Sequence, residues 1–98
     1  MRVSFRRTGG FAGRSLEGSL DSSTLSVSQA RRLKELLKKS GFFELPSNLE
    51  SSPANADQFS YRVTVETEEG KHTVEASEIA VPAAMRPLLD FLTRSLLK

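Results

Sequence analysis

The chain of 98 residues contains no cysteine, no tryptophan, one histidine and one tyrosine. Without cysteine, no disulfide and no thiolate metal site can form. A zinc centre takes three or four ligands, usually Cys and His; His72 alone cannot supply them. A serine–histidine–acid triad would have to use His72 as well, and no nucleophile-elbow pattern lies near it. The acidic pair Glu68-Glu69 precedes Gly70, as expected of a solvated turn. Glycines 9, 10 and 13 are followed by no lysine-and-helix pattern, so they are not a phosphate-binding loop. Apolar runs fall far short of the ~20 residues that a membrane helix needs. The N-terminus lacks the apolar run, roughly 7–15 residues long, of a Sec-type signal peptide. These absences predict a protein that is not an enzyme, needs no cofactor and does not span a membrane. The cytoplasm is its simplest location, with non-classical export left open.

What remains is the composition of one soluble domain covering residues 1–98. Hydrophobic residues make up 38% and charged residues 27%, which suffices for one modest core. The net charge of +2 is unevenly spread. Residues 1–41 hold nine Lys/Arg against three Asp/Glu, and residues 42–98 hold five against nine. The N-terminal half therefore suits docking against an acidic surface, although a solvated helix face would give the same count.

Alternation marks the strands. Val3 and Phe5 alternate with Ser4 and Arg6; Leu16, Gly18 and Leu20 alternate with Ser15, Glu17 and Ser19. These segments form a hairpin, and Asp21-Ser22-Ser23 turns the chain onward. Ser26 and Gln29 have the spacing of a capping box. Ala30, Leu33, Leu36 and Leu37 then recur at helical spacing, Lys38 and Lys39 suit a helix C-terminus, and Gly41 suits a left-handed stop. A helix is expected over about residues 27–40. Phe42 or Phe43 should close one end of the core. Residues 46–57, with two prolines and little to bury, read as a loop.

Phe59, Tyr61, Val63 and Val65 give the clearest strand, returned through Glu68-Glu69-Gly70 by His72, Val74 and Ala76. A last helix should run from about 85 to 97, with Pro87 in its first turn and Leu88, Phe91, Leu92, Ser95 and Leu96 as its buried stripe. The predicted fold is α+β, in the order ββαββα. It has a four-stranded, mostly antiparallel sheet with two helices on one face. The other face would carry Ser4, Arg6, Arg62, Thr64 and Glu66.

One segment fits no core role: Arg7-Thr8-Gly9-Gly10-Phe11-Ala12-Gly13. A large aromatic in a glycine-rich turn suits a binding loop, because glycine lets a partner's backbone approach while one side chain enters a pocket. The candidate partner-contact residues are Arg7, Gly9, Gly10, Phe11, Ala12, Gly13 and Arg14, with Asp57 and Gln58 from the segment before the third strand. Plainer roles stay open. Gly9 and Gly10 could serve only the turn, Phe11 could fold back on the core, and Asp57 could cap nearby backbone N–H groups. Tyr61 is expected to pack inward with its hydroxyl satisfied. Arg2, Arg6, Arg7 and Arg14 beside an aromatic would also suit single-stranded nucleic acid. That reading has one aromatic where several are needed, and no RNP or helix-turn-helix pattern, so no nucleic-acid partner is expected.

Four blocks carry a resemblance. Phe5-Arg6-Arg7-Thr8-Gly9-Gly10-Phe11-Ala12-Gly13, Gly41-Phe42-Phe43-Glu44-Leu45-Pro46, Ala56 to Val65, and Val81 to Leu92 resemble the emfourin family in order and spacing. The resemblance spans essentially the whole chain; residues 47–55 and Ser22–Ser28 carry no motif of it. Emfourins are small bacterial inhibitors of thermolysin-like zinc metallopeptidases, protealysin and thermolysin among them. The resemblance therefore implies an inhibitor whose partner is a thermolysin-like (protealysin-like) peptidase; a monomer is expected when it is free. Its alternative is a non-inhibitory interaction or regulatory module that binds a peptidase or its precursor. Such peptidases favour a bulky apolar residue after the scissile bond, which Phe11 could supply. Arg6, Arg7 and Arg14 would then face an acidic cleft rim.

Overall fold

The computed structural model describes residues 1–9, 15–49 and 59–96. Among these the order is β1 (Arg2–Gly9), β2 (Leu16–Asp21), α1 (Val27–Ser40), β3 (Phe59–Thr67), β4 (Gly70–Ser77) and α2 (Arg86–Leu96). This is the expected ββαββα order. The strands form one sheet in the order β2-β1-β3-β4, and every pairing is antiparallel. Each hairpin supplies one central and one outer strand, and the β1–β3 pairing joins the two hairpins.

The register explains the alternation in the sequence. Facing the helices are the rows Leu20–Val3–Val65–His72, Gly18–Phe5–Val63–Val74 and Leu16–Arg7–Tyr61–Ala76. Val3, Phe5, Val63, Val65, Val74 and Ala76 are buried there, with Leu33, Leu36 and Leu37 of α1 and Leu88, Leu89 and Leu92 of α2. The opposite face carries Asp21–Arg2–Glu66–Lys71, Ser19–Ser4–Thr64–Thr73 and Glu17–Arg6–Arg62–Glu75. Arg6 and Arg62 stand directly opposite each other, a repulsive arrangement. Each turns outward to a carboxylate: Arg6 lies 3.4 Å from Glu17, and Arg62 Nε donates to Glu75 Oε1 at 2.6 Å. The polar face expected at Ser4, Arg6, Arg62, Thr64 and Glu66 is therefore present, and its charge is largely self-compensated.

The helix ends follow their local chemistry. Ser26 Oγ accepts the Gln29 N–H at 3.2 Å, satisfying one of the N–H groups that a helix start leaves unpaired. Gly41 stops α1 at φ 65°, where a side chain would be strained, and its N–H bonds back to the Leu37 and Lys38 carbonyls. Asp21 shapes the turn after β2 by accepting the Ser23 N–H at 2.9 Å, and that bond holds the exposed carboxyl below its ordinary pKa.

Phe42 closes the core beyond α1 and is wholly buried, whereas Phe43 stays exposed. His72 meets Phe42 edge-on, with ring centres 5.4 Å apart. Its Nε2–H donates to the Leu45 carbonyl at 3.0 Å; a carbonyl can only accept, so Nε2 carries the proton. The one histidine thus has a packing role.

The last helix starts at Arg86 with Pro87 in its first turn, as expected, after a 3-10 turn at Ala83–Met85; two other details differ from the sequence expectation. Its buried stripe includes Leu89, while Phe91, Ser95 and Leu96 are only half-buried. α2 packs on both the sheet and α1, so the apolar arc is wider than one seam needs. The start of the presumed 46–57 loop is also not free. Leu49 N–H bonds to the Glu75 carbonyl at 2.7 Å and Glu75 N–H to the Ser47 carbonyl at 2.9 Å. Residues 47–49 thereby cover the outer edge of β4, one of the ways a protein masks an open strand.

Gly18 has a different duty. A Cβ there would lie 2.6 Å from Leu96 Cδ2, so the absent side chain lets the end of α2 settle on β2. Gly18→Val should cost at most about 1 kcal/mol, the low end of overpacking, because the clash falls on the movable tip of Leu96. Phe42→Ala should cost about 3–5 kcal/mol by opening a cavity in the core. Urea unfolding of both variants against the parent protein checks the two values.

Candidate functional site

β1 and β3 are antiparallel, so β1 ends where β3 begins. Gly9 stands opposite Phe59, Thr8 opposite Ser60, and Arg7 opposite Tyr61. β2 starts at the same end, with Leu16 opposite Arg7, and β4 finishes there, with Ser77 opposite Ser60. One end of the sheet therefore gathers the two stems of the glycine hairpin, the start of β3 and the exit of β4. Gly9 has φ 83°, a conformation open to glycine and costly for other residues. Of the sequence-derived contact residues, Arg7 and Gly9 are at this end. Gly10, Phe11, Ala12, Gly13, Arg14, Asp57 and Gln58 lie outside the described residues.

Arg7 occupies an unusual position. It follows Val3 and Phe5 in the helix-facing register, where an apolar residue is the norm. It is half-buried, and its guanidinium lies 4.4 Å from the centre of the Phe59 ring. Arginine favours such a position because its flat, weakly hydrated cation stacks on an aromatic face. Its Nε is buried and has no hydrogen-bond partner among the described residues. Arg6, next in the chain, points to the opposite face and to Glu17. The two arginines therefore do not form a single basic rim.

An aromatic stack continues from Phe59. Its ring centre lies 6.2 Å from that of Tyr61, and Tyr61 stacks on buried Phe5 at 6.1 Å. The expected inward packing of Tyr61 is present. Phe59 N–H donates to Glu78 Oε1 at 3.0 Å, and Arg86 Nη2 donates to the Glu78 carbonyl at 3.3 Å. Glu78 opens a 3-10 turn, Glu78–Ala80, between β4 and the approach to α2. Sequence reasoning missed Phe59, Glu78 and Arg86 as parts of this end. Their one local signal was Arg7 itself, a charge where the alternation calls for an apolar side chain.

Among the described residues no group of three His, Asp or Glu side chains could hold a metal ion. No helix among them is long and apolar enough to cross a membrane.

Burial raises the Tyr61 pKa above its ordinary value of 10.0, and the nearby Glu78 charge adds to this; Arg7 and Arg86 oppose it. A phenol that ionises less readily when folded stabilises the fold below pH 10, and that contribution is lost as the pH climbs through the folded value. With one tyrosine and no tryptophan in the chain, phenolate absorbance reports this group alone. An alkaline titration should show a midpoint above the free-tyrosine value. Glu78→Gln should lower that midpoint and Arg7→Met should raise it.

The Emfourin family model matches residues 5–93. Among solved structures, emfourin (M4in) from Serratia proteamaculans, an M4 family peptidase inhibitor, is 21% identical; the match covers 89% of this chain and 83% of that one, with a TM-score of 0.48. No match was found among curated proteins. The family match runs from β1 into α2 and takes in the whole sheet apart from the first residues of β1, so the chain belongs to the emfourin family, a family of inhibitors and not of enzymes.

Proposed function

We propose that this protein inhibits thermolysin-like zinc metallopeptidases by seating the Gly9–Gly13 loop in the active-site cleft. The target class comes from the family. The observation that best supports the mechanism is the register of β1 on β3, which anchors the stem of the glycine loop in the middle of the sheet. A loop whose first stem is the central strand β1, braced by the Arg7–Phe59 stack, would be presented with little loss of freedom on binding.

A catalytic zinc site keeps one coordination position open at the floor of a cleft. Phe11 would fill the apolar pocket that normally takes the residue after the scissile bond. The glycines on either side would let the backbone lie close to the cleft without entering productive geometry. Arg14 would face the acidic rim, and Asp57 and Gln58 would support the loop from the start of β3.

Titration of the purified protein into a thermolysin-like peptidase, with a small peptide substrate, tests this. A small substrate is needed because only occlusion of the cleft blocks its hydrolysis. Stoichiometric loss of activity is the expected result. Phe11→Ala should raise the inhibition constant about 30-fold, corresponding to roughly 2 kcal/mol for a central anchor. An unchanged inhibition constant for this variant would sink the plug mechanism. A complex that forms while turnover stays normal would point to the non-inhibitory module instead.

A further inference from the structure

Three large apolar residues are well exposed among the described residues: Val27, Phe43 and Ile79. A single exposed aliphatic side chain ordinarily needs no explanation. Val27 begins α1, and Phe43 packs edge-on against Phe42 with ring centres 5.5 Å apart. Ile79 is different in both its place and its fixation.

Its place is the loop-bearing end of the sheet. β4 ends at Ser77, opposite Ser60, and Ile79 follows two residues later, beside the start of β3 and on the far side of β3 from Gly9. Its fixation comes from both flanks. Ser77 and Val81 are buried and Glu78 and Ala80 half-buried, so the 3-10 turn between them sits against the fold with Ile79, in its middle, left outward. Glu78 is tied by its carboxylate to the Phe59 N–H and by its carbonyl to Arg86. The turn is thus clamped on two sides while Ile79 stays 58% exposed. A rigid element carrying a solvated β-branched side chain loses little entropy when that side chain is covered, as a binding anchor requires.

We propose that Ile79 is a second anchor of the peptidase-facing surface. It docks on an apolar patch beside the peptidase cleft, and carboxylates at the edge of that patch meet Arg86 and Arg7. This rests on the inhibitory reading above, and it assigns to the interface a turn outside the glycine loop. The partner chemistry follows from the neighbours: an aliphatic anchor and a half-buried aromatic, Phe59, with a cation on each side. Interfaces of this kind pair an apolar centre with a charged margin.

The test compares the parent protein with Ile79→Ala, Ile79→Asp and, as a control far from this end, Val27→Asp. Inhibition of a thermolysin-like peptidase is measured with a small peptide substrate. Complex formation with the same peptidase is measured separately by calorimetry. Ile79→Asp should weaken both by roughly tenfold or more, through faster dissociation, and Ile79→Ala by roughly three- to tenfold. Val27→Asp should stay within about twofold of the parent, and all unfolding midpoints should coincide, since both sites are exposed. If the parent inhibits and Ile79→Asp matches it, the second anchor is overturned and the inhibitory reading stands. If the parent binds without inhibiting, the inhibitory reading fails, and Ile79→Asp still decides whether the turn belongs to the contact surface. Equal losses in Ile79→Asp and Val27→Asp would reduce the effect to general charge and overturn the proposal. A parent that neither binds nor inhibits overturns both.

Discussion

The pairing of β1 with β3 is the constraint on which the rest of the structure depends. Either hairpin alone would be marginal in water, because two strands cannot bury a face. Joined through their inner strands, they make one sheet with a continuous apolar side, on which both helices pack. The same pairing is antiparallel, so it brings the end of β1 and the start of β3 to one place. Fold stability and the location of the candidate contact surface therefore have one origin. Changing the register by one residue would turn Val3, Phe5, Val63 and Val65 out of the core and would also separate Gly9 from Phe59.

Much of the architecture was legible because its signals are local. The alternation of Val3 and Phe5, and of Phe59, Tyr61, Val63 and Val65, with polar residues marks strands wherever they pair. Ser26 at the cap and Gly41 at the stop bound α1 within a few residues of each helix end. The element order and the two-layer class followed from these. Non-local features were not legible. Nothing in Ser47-Asn48-Leu49 announces that its backbone covers the edge of β4, because backbone groups are the same in every residue. The burial of Leu89 depends on α1 and the sheet both lying against α2, which no helical period encodes.

The candidate site divides the same way. The glycine-rich heptapeptide is conspicuous because its glycines and lone aromatic break the alternation around them. Phe59, Glu78, Ile79 and Arg86 do not break any local pattern; they matter because the topology brings strand ends together. Charge was the least transferable signal. Arg6 and Arg7 add equally to a count over the N-terminal half, yet one pairs with Glu17 on the open face and the other lies on Phe59 on the covered face. On α1, Lys39 and Arg32 share the single carboxylate of Glu35. A sum of charges along the chain therefore says little about the field at the sheet end, where, among the described residues, Glu78, Arg7, Arg86 and Asp90 act on Tyr61.

The seat of Leu96 on Gly18 joins the final helix to the second strand, which lies near the other end of the sequence. The β1–β3 ladder likewise joins residues far apart in the chain. Contacts of such long span form late and slowly. During synthesis, the first hairpin and α1 emerge from the ribosome without the strand or the helix that complete their packing. The sheet end needs β3 and the turn after β4 as well as the first hairpin, so nascent or shortened chains that stop before β3 would lack the ordered surface that the folded protein presents.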